Sequence, residues 1–271
     1  MPLVNLMLDS GAYSAWNHGE EIDIDKYIAF IKLNLPYVET YVNLDQIPGK
    51  RGQKFTQADV ERSAQVSYDN LQYMKSHGLS PIPVFHQGER FYWLERLVAD
   101  GETYIGISPH NDLRTAAHID WLDKVYTIIT DADGRALVKT HGFAVTTASI
   151  MFRYPWYSVD STTWALVAGY GKIYVPEYNR GKPCYDRPPI GVVLSGRKQS
   201  SGSLRSYQYE MLGPTAKAYV DKFLAEEVGT TLLEARFNDV IRYKALIIYF
   251  QKLAAARPEV LFQHRRKSLI E

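Results

Sequence analysis

Cysteine occurs once in this chain, at Cys184. A single thiol cannot close an intrachain disulfide, and it excludes a zinc site built from several cysteines. So little cysteine suits a reducing compartment. An excess of either charge is also missing: 31 basic residues stand against 30 acidic ones, for a net charge of +1. No general attraction to nucleic acid follows from that balance, so any basic surface has to be local. The start of the chain carries no basic, apolar leader, and no apolar run approaches the ~20 residues of a membrane span. The expectation is a soluble, cytoplasmic protein with no membrane partner.

What the chain has in quantity is aromatic surface, with 20 tyrosines and 5 tryptophans. Packing is the ordinary use of such rings, and stacking on bases or sugars is the sharper one. With 271 residues, 46% of them hydrophobic, the chain has room for one large α/β domain or two small ones.

The most informative stretch is Leu8 to Ser14, LDSGAYS. An apolar run from Leu3 delivers Asp9 onto a Ser-Gly turn, with Tyr13 just beyond. Short apolar runs bounded by glycine read as buried strands. A carboxylate at the C-terminal end of such a strand is where α/β sheets and barrels keep their chemistry. Asp-Ser-Gly is also ordinary turn chemistry, so the weight rests on the recurrence of the construction.

It recurs along the chain. Ile24, Ile28, Ile31 and Leu35 mark a helical face, with Asp23 as N-cap and Pro36 as stop. Tyr37–Leu44 reads as a strand ending in Asp45-Gln46, and Asp59–His77 as the clearest helix. Strands at Ile82–Phe85, Tyr104–Ile107, Leu137–Lys139 and Tyr157–Val159 end in His86-Gln87-Gly88-Glu89, Ser108-Pro109-His110, Thr140-His141-Gly142 and Asp160-Ser161-Thr162. Helices are expected over Phe91–Ala99, Leu113–Ile129, Ala148–Phe152 and Trp164–Ala168. Repeated strand–helix units imply parallel strands with right-handed crossovers, and eight would close a barrel. Lys172–Pro176 and Ile190–Leu194 are the candidates for strands seven and eight. Residues 177–205 read as a polar, basic and mobile insertion. Two helices, Gln208–Glu227 and Thr230–Ala256, close the chain, and the tail from Gln263 with Arg265-Arg266-Lys267 is expected to fray. No internal repeat or linker is evident, so the fold class expected is α/β, a single-domain (β/α)8 barrel over residues 1–271.

If the strand ends share one rim, Asp9, Asp45 and Asp160 converge on one pocket. Carboxylates in one pocket divide into nucleophile and acid/base because neighbours and burial push their pKa values apart. That is the logic of chemistry at a glycosidic carbon. Asp45 and Gln87 offer edges for a nucleobase, and Tyr13 offers a face. Nothing in the spacing of His86, His110 and His141 indicates a metal.

The series DSGAYS (Asp9–Ser14), NLDQ (Asn43–Gln46), FHQGE (Phe85–Glu89), YIGIS (Tyr104–Ser108), THGFAVT (Thr140–Thr146) and SVDSTTW (Ser158–Trp164) resembles the tRNA-guanine transglycosylase superfamily, in the family's order. The resemblance implies that Asp160 is a nucleophile at C1′ of guanosine, forming a covalent glycosyl-enzyme. It implies that Asp9 is the general acid/base and that Tyr13 stacks on the base. Asp45 and Gln87 would read the base edge, with Gly88, Gly106, His141 and Gly142 completing the pocket. No cofactor and no metal are implied. Members acting on tRNA carry a zinc site of three cysteines and one histidine, which this chain cannot form. Ala12 and Glu89 stand where the family commonly has glycine. The compact pattern resembles the phage and bacterial DNA-modifying branch, with a 7-deazaguanine such as preQ0 as incoming base. The partner expected is then DNA, in a bacterial or phage-infected host cytoplasm; a homodimer is compatible with the chain. Arg180, Lys182, Arg187, Arg197, Lys198 and Arg205 would contact the phosphate backbone. The alternatives are the same exchange on tRNA, a glycoside hydrolase using Asp9 and Asp160, and a non-catalytic nucleic-acid-binding protein.

Overall fold

The computed structural model of the chain describes residues 5–49, 54–110, 115–145, 147–195, 206–256 and 259–264. The chain divides into two compact units. The first comprises Met1–Phe143, Tyr154–Val159 and Leu261–Glu271; the second comprises Ala144–Arg153 and Asp160–Val260.

The first unit is an α/β layer built on parallel strands. β1 (Met7–Leu8) pairs with β2 (Thr40–Tyr41), and a parallel bridge from Val42 to Ile82 carries the pairing on towards β3 (Val84–His86). β3, β4 (Tyr104–Ser108), β5 (Lys139–Gly142) and β6 (Ser158–Val159) follow in parallel, in sequence order. The intervening helices are α1 (Ala12–His18), α2 (Ile24–Asn34), α3 (Gln57–Ser76), α4 (Phe91–Ala99) and α5 (Thr115–Ile129). Ile105, Gly106 and Ile107 of β4 are buried in succession, as expected of a strand covered on both faces.

The local chemistry explains the boundaries. Asp23 caps α2 as expected, its carboxylate accepting from the N–H groups of Asp25 and Lys26. Tyr27, Ile28 and Ile31 then bury against Tyr41, Leu44, Met74 and Leu79. The helix expected from Asp59 starts two residues earlier, because Thr56 is the N-cap and Asp59 is its capping-box partner. α1 is not among the expected helices. It lies between two left-handed glycines, Gly11 and Gly19, and buries no residue, so it carries no apolar periodicity.

The C-terminal segment also departs from expectation. Phe262 packs beside the stacked rings of Tyr126 and Tyr154, and its N–H donates to the Gly134 carbonyl at 2.9 Å. Gly134 has φ 80°, and a Cβ there would lie 2.1 Å from the Phe262 carbonyl oxygen. His264 reaches the Asp131 carbonyl at 2.8 Å. Gln263 and His264 are therefore placed, not frayed; Arg265, Arg266 and Lys267 lie outside the described residues.

In the second unit, α6 (Ala148–Met151) and α7 (Thr163–Gly169) precede β7 (Lys172–Val175), β8 (Glu177–Asn179), β9 (Lys182–Cys184), β10 (Ile190–Val193) and β11 (Ser206–Gln208). The two segments expected as strands seven and eight are strands, but β7 and β10 pair antiparallel to each other. β10 then pairs in parallel with β11. Part of the insertion expected to be mobile is an ordered hairpin, β8 against β9. Arg180 and Gly181 both have positive φ, 48° and 79°, the pattern of a two-residue type I′ turn.

Each expected C-terminal helix is broken. A 3₁₀ turn, Tyr209–Met211, precedes α8 (Pro214–Lys222), which runs into a π-helical turn, Phe223–Val228. Pro214 lacks an N–H and suits the first helical turn, not an interior. The last helix divides into α9 (Leu232–Phe237) and α10 (Asp239–Ala256) at Asn238, whose extended backbone and side-chain bond to the Val240 N–H restart the helix. Buried Arg242 ties the break down by donating to the carbonyls of Ala168, Ala235 and Arg236, each at 3.1 Å. Those oxygens close α7 and α9, where helix carbonyls lack partners of their own. No helix among the described residues is long and apolar enough to cross a membrane.

Candidate functional site

Parallel strands in register put their C-terminal ends on one edge. His86 lies opposite Ser108, Ile107 opposite Gly142, and Gly142 opposite Val159. In the first unit this edge carries Asp9 after β1, Asp45 after β2, and His86 to Glu89 at the end of β3. Ser108 to His110 follow at β4, and His141-Gly142 end β5.

The tightest cluster there is a chain of polar contacts. The Ser10 N–H donates to Asp9 Oδ1 at 2.9 Å, and the Ser10 hydroxyl donates to Asp45 Oδ1 at 3.2 Å. Asp45 Oδ2 lies 2.9 Å from His86 Nε2, and Glu89 Oε1 lies 3.1 Å from His86 Nδ1. The three side chains are 9%, 18% and 6% exposed, in the order Asp45, His86, Glu89. Burial alone would discharge the ring, but the bonds to Asp45 and Glu89 outweigh it and hold the imidazolium up to a pKa of about 10. Burial likewise pushes the Tyr27 phenol up, and the nearby charges of Asp9 and Asp45 add to the effect. Tyr27 donates to the Val42 carbonyl at 2.8 Å.

Gln87 Oε1 accepts the His110 N–H at 3.0 Å, and Nε2 donates to the Ala117 carbonyl at 3.4 Å. A primary amide has two lone pairs and two N–H groups, so each end keeps one valence beyond these bonds. Gly88 has φ 112°, open only to glycine at low cost. Gly106 lies mid-sheet under the Phe143 ring: a Cβ there would come within 2.5 Å of it. His141 Nδ1 and the Tyr104 hydroxyl share the Ser158 hydroxyl at 2.7 and 2.6 Å. Gly142 is buried within the sheet. Tyr13 is 54% exposed and stacks on Trp16, with ring centroids 6.0 Å apart.

A cavity of about 20 Å³ behind Glu89 is lined by Asn43, Ser67 and Trp93 among others. It has room for about one water molecule and none for a purine. Asn43 Oδ1 and Trp93 Nε1 are buried without a protein partner, which suits a solvated hole of that size.

Asp160 belongs to the second unit, where its Oδ1 accepts the Ala144 N–H at 2.9 Å. Ala144 has φ 56°, a left-handed conformation that costs an L-residue about 1–2 kcal/mol. Strain of this kind persists only where surroundings impose it, and it clusters at functional sites. Ala144→Gly is expected to keep the bond to Asp160 and to leave stability unchanged or raised by up to about 1 kcal/mol, read from urea unfolding. Ala144→Val is expected to lower stability by about 1–3 kcal/mol.

Of the expected backbone contacts, Arg180 and Lys182 are exposed on the β8–β9 hairpin. Arg187 is engaged by Glu177 at 3.5 Å and Asp186 at 3.6 Å, which cancels much of its attraction for phosphate. Arg197, Lys198 and Arg205 lie outside the described residues. No group of His, Cys, Asp and Glu suited to a metal occurs among the described residues.

From the sequence His86 has no metal-site spacing and no assigned role, and neither Ser10 nor Ala144 stands out. The available signal was the i, i+3 spacing of His86 and Glu89 across Gly88, in a loop following a strand. No protein-family model, curated protein or solved structure matches this chain.

Proposed function

We propose that the chain is a guanine transglycosylase that exchanges guanine in DNA for a 7-deazaguanine such as preQ0, on a (β/α)8 barrel forming a single domain in the cytoplasm. The observation that carries this reading is the Asp160 carboxylate held by the N–H of left-handed Ala144. That bond orients one oxygen of the exposed Asp160 carboxylate, and an oriented group is what an attacking nucleophile requires. Support also comes from the first unit, whose parallel strands end in Asp9, Asp45 and Gln87 on one edge.

In this reading Asp160 attacks C1′, the C1′–N9 bond breaks, and the pair of electrons leaves with guanine. Asp9 gives that base its proton. The incoming 7-deazaguanine returns a proton to Asp9, its N9 attacks C1′, and the Asp160 carboxylate is released. One glycosidic bond replaces another, so no redox or metal chemistry is needed to balance the exchange. Gln87, anchored at both ends of its amide, keeps one acceptor and one donor for a base edge. Tyr13 supplies an exposed ring for stacking, and Arg180 and Lys182 supply charge for phosphates. A target base in duplex DNA has to leave the stack to be reached.

The test is incubation with guanine-containing DNA, and separately tRNA, in the presence of labelled guanine or preQ0. Label is expected in DNA. Label in tRNA alone moves the substrate to RNA, and label in neither sinks the reading.

A further inference from the structure

Both ring nitrogens of His86 face carboxylate oxygens, Asp45 at 2.9 Å and Glu89 at 3.1 Å. A neutral imidazole has one N–H and could satisfy only one of these acceptors; the cation satisfies both. Among the described residues these two carboxylates are the charged groups that act on the ring, one from the loop after β2 and one from its own loop. The Ser10 hydroxyl fixes the other oxygen of Asp45. A carboxylate pinned at both oxygens has little rotational freedom, yet each oxygen retains a lone pair.

We propose that His86 is a positioning residue: clamped between Asp45 and Glu89, its ring locks Asp45 in the rotamer that presents a carboxylate oxygen to the N–H edge of a guanine-class base. The ligand class follows from the chemistry left at Asp45. An anionic acceptor beside a cation that is already fully bonded selects a base with adjacent N–H donors, as guanine and 7-deazaguanines have, and disfavours adenine, whose corresponding ring nitrogen is an acceptor. This role rests on the transglycosylase reading above. Glu89 acts one step further out, keeping the imidazole charged and oriented.

The experiment has two arms on the full-length protein. In the first, the imidazole resonances of the seven histidines are followed by NMR from pH 5 to 10, with His86→Gln used to assign the signal. His86 is expected to remain cationic at pH 8.5; titration near 6.5 overturns the clamp whatever the protein's activity. In the second, exchange of labelled guanine into DNA is measured with wild type, His86→Gln and Glu89→Gln, each checked for an unchanged fold by circular dichroism. His86→Gln is expected to raise KM for the free base about tenfold or more, the scale of a lost charge-assisted bond, with kcat within about threefold. Glu89→Gln is expected to move the alkaline rise of KM down by about one pH unit or more. A role confined to folding would leave the KM of well-folded variants and its pH profile unchanged, and that result overturns the proposal alone. No exchange by wild type sinks the transglycosylase reading, and the base-positioning role with it, while the titration still decides the clamp.

Discussion

Asp160→Asn is expected to abolish base exchange while leaving the protein folded. The asparagine side-chain oxygen still accepts the Ala144 N–H, so the bond that organises the turn survives the change. On the proposed reading the loss is of the carboxylate as attacking group: an amide oxygen does not displace a base from C1′ to leave a stable covalent intermediate. Removal of a nucleophile elsewhere costs about 10⁴–10⁶ in kcat, or about 5–8 kcal/mol of barrier, and a loss of that size is expected here. The measurement is label incorporation into DNA, together with a denaturing gel of enzyme and DNA without incoming base. Wild type should give a band of protein attached to DNA, and Asp160→Asn should give none. Asp9→Asn should separate from it, slowing release of guanine through loss of the proton donor while the attacking carboxylate stays in place. A variant at Asp160 that exchanges base as well as wild type would remove the nucleophile from the proposal and send the role elsewhere.

The parts of the fold legible in the sequence are those with an apolar period and a cap in the same place. α2 has both, in Asp23 and the Ile28–Ile31 face, and its start was readable to the residue. α4 matched its expected range because its burial follows the helical period through Trp93, Leu94 and Leu97. α1 has neither signal: it is closed by glycines and buries nothing. The breaks at Gly213-Pro214 and Asn238 lie inside apolar-periodic stretches, and periodicity does not register a turn that keeps its apolar residues on the same side. Pairing direction was not readable for β7 and β10, since short apolar strands look alike whether their neighbours run parallel or antiparallel.

The site divides in the same way. Asp9, Asp45 and the His86–Glu89 loop could be placed at strand ends by counting along apolar runs. Their interactions could not, because the link between Asp45 and His86 joins the ends of two strands separated by α3 and depends on register. The strain at Ala144 was invisible too: alanine gives no hint of positive φ, as glycine or asparagine would.

Raising the pH from 6.5 to 9.5 is expected to cost the wild-type protein several kcal/mol of stability, and much less in His86→Gln. The ring is held protonated up to a pKa of about 10 in the folded chain, against about 6.5 when unfolded. Between those values the folded state binds more protons than the unfolded state, so stability falls as pH rises. The contribution is complete below pH 6.5 and is gone once pH passes 10. Each unit of difference is worth about 1.4 kcal/mol, large against the 5–15 kcal/mol that holds a typical domain. In His86→Gln the two carboxylates lose the cation between them, so the variant should be least stable relative to wild type near pH 6. The two urea midpoints should then converge as pH approaches 10, because the wild-type ring has become neutral there as well. Above that point buried phenols take over: burial pushes Tyr27 and Tyr249 up, so alkali favours the unfolded chain in both proteins equally. The informative window therefore closes at about pH 9.5, below the ordinary tyrosine range. Parallel stability curves for the two proteins across that window would mean that no cation lies between Asp45 and Glu89.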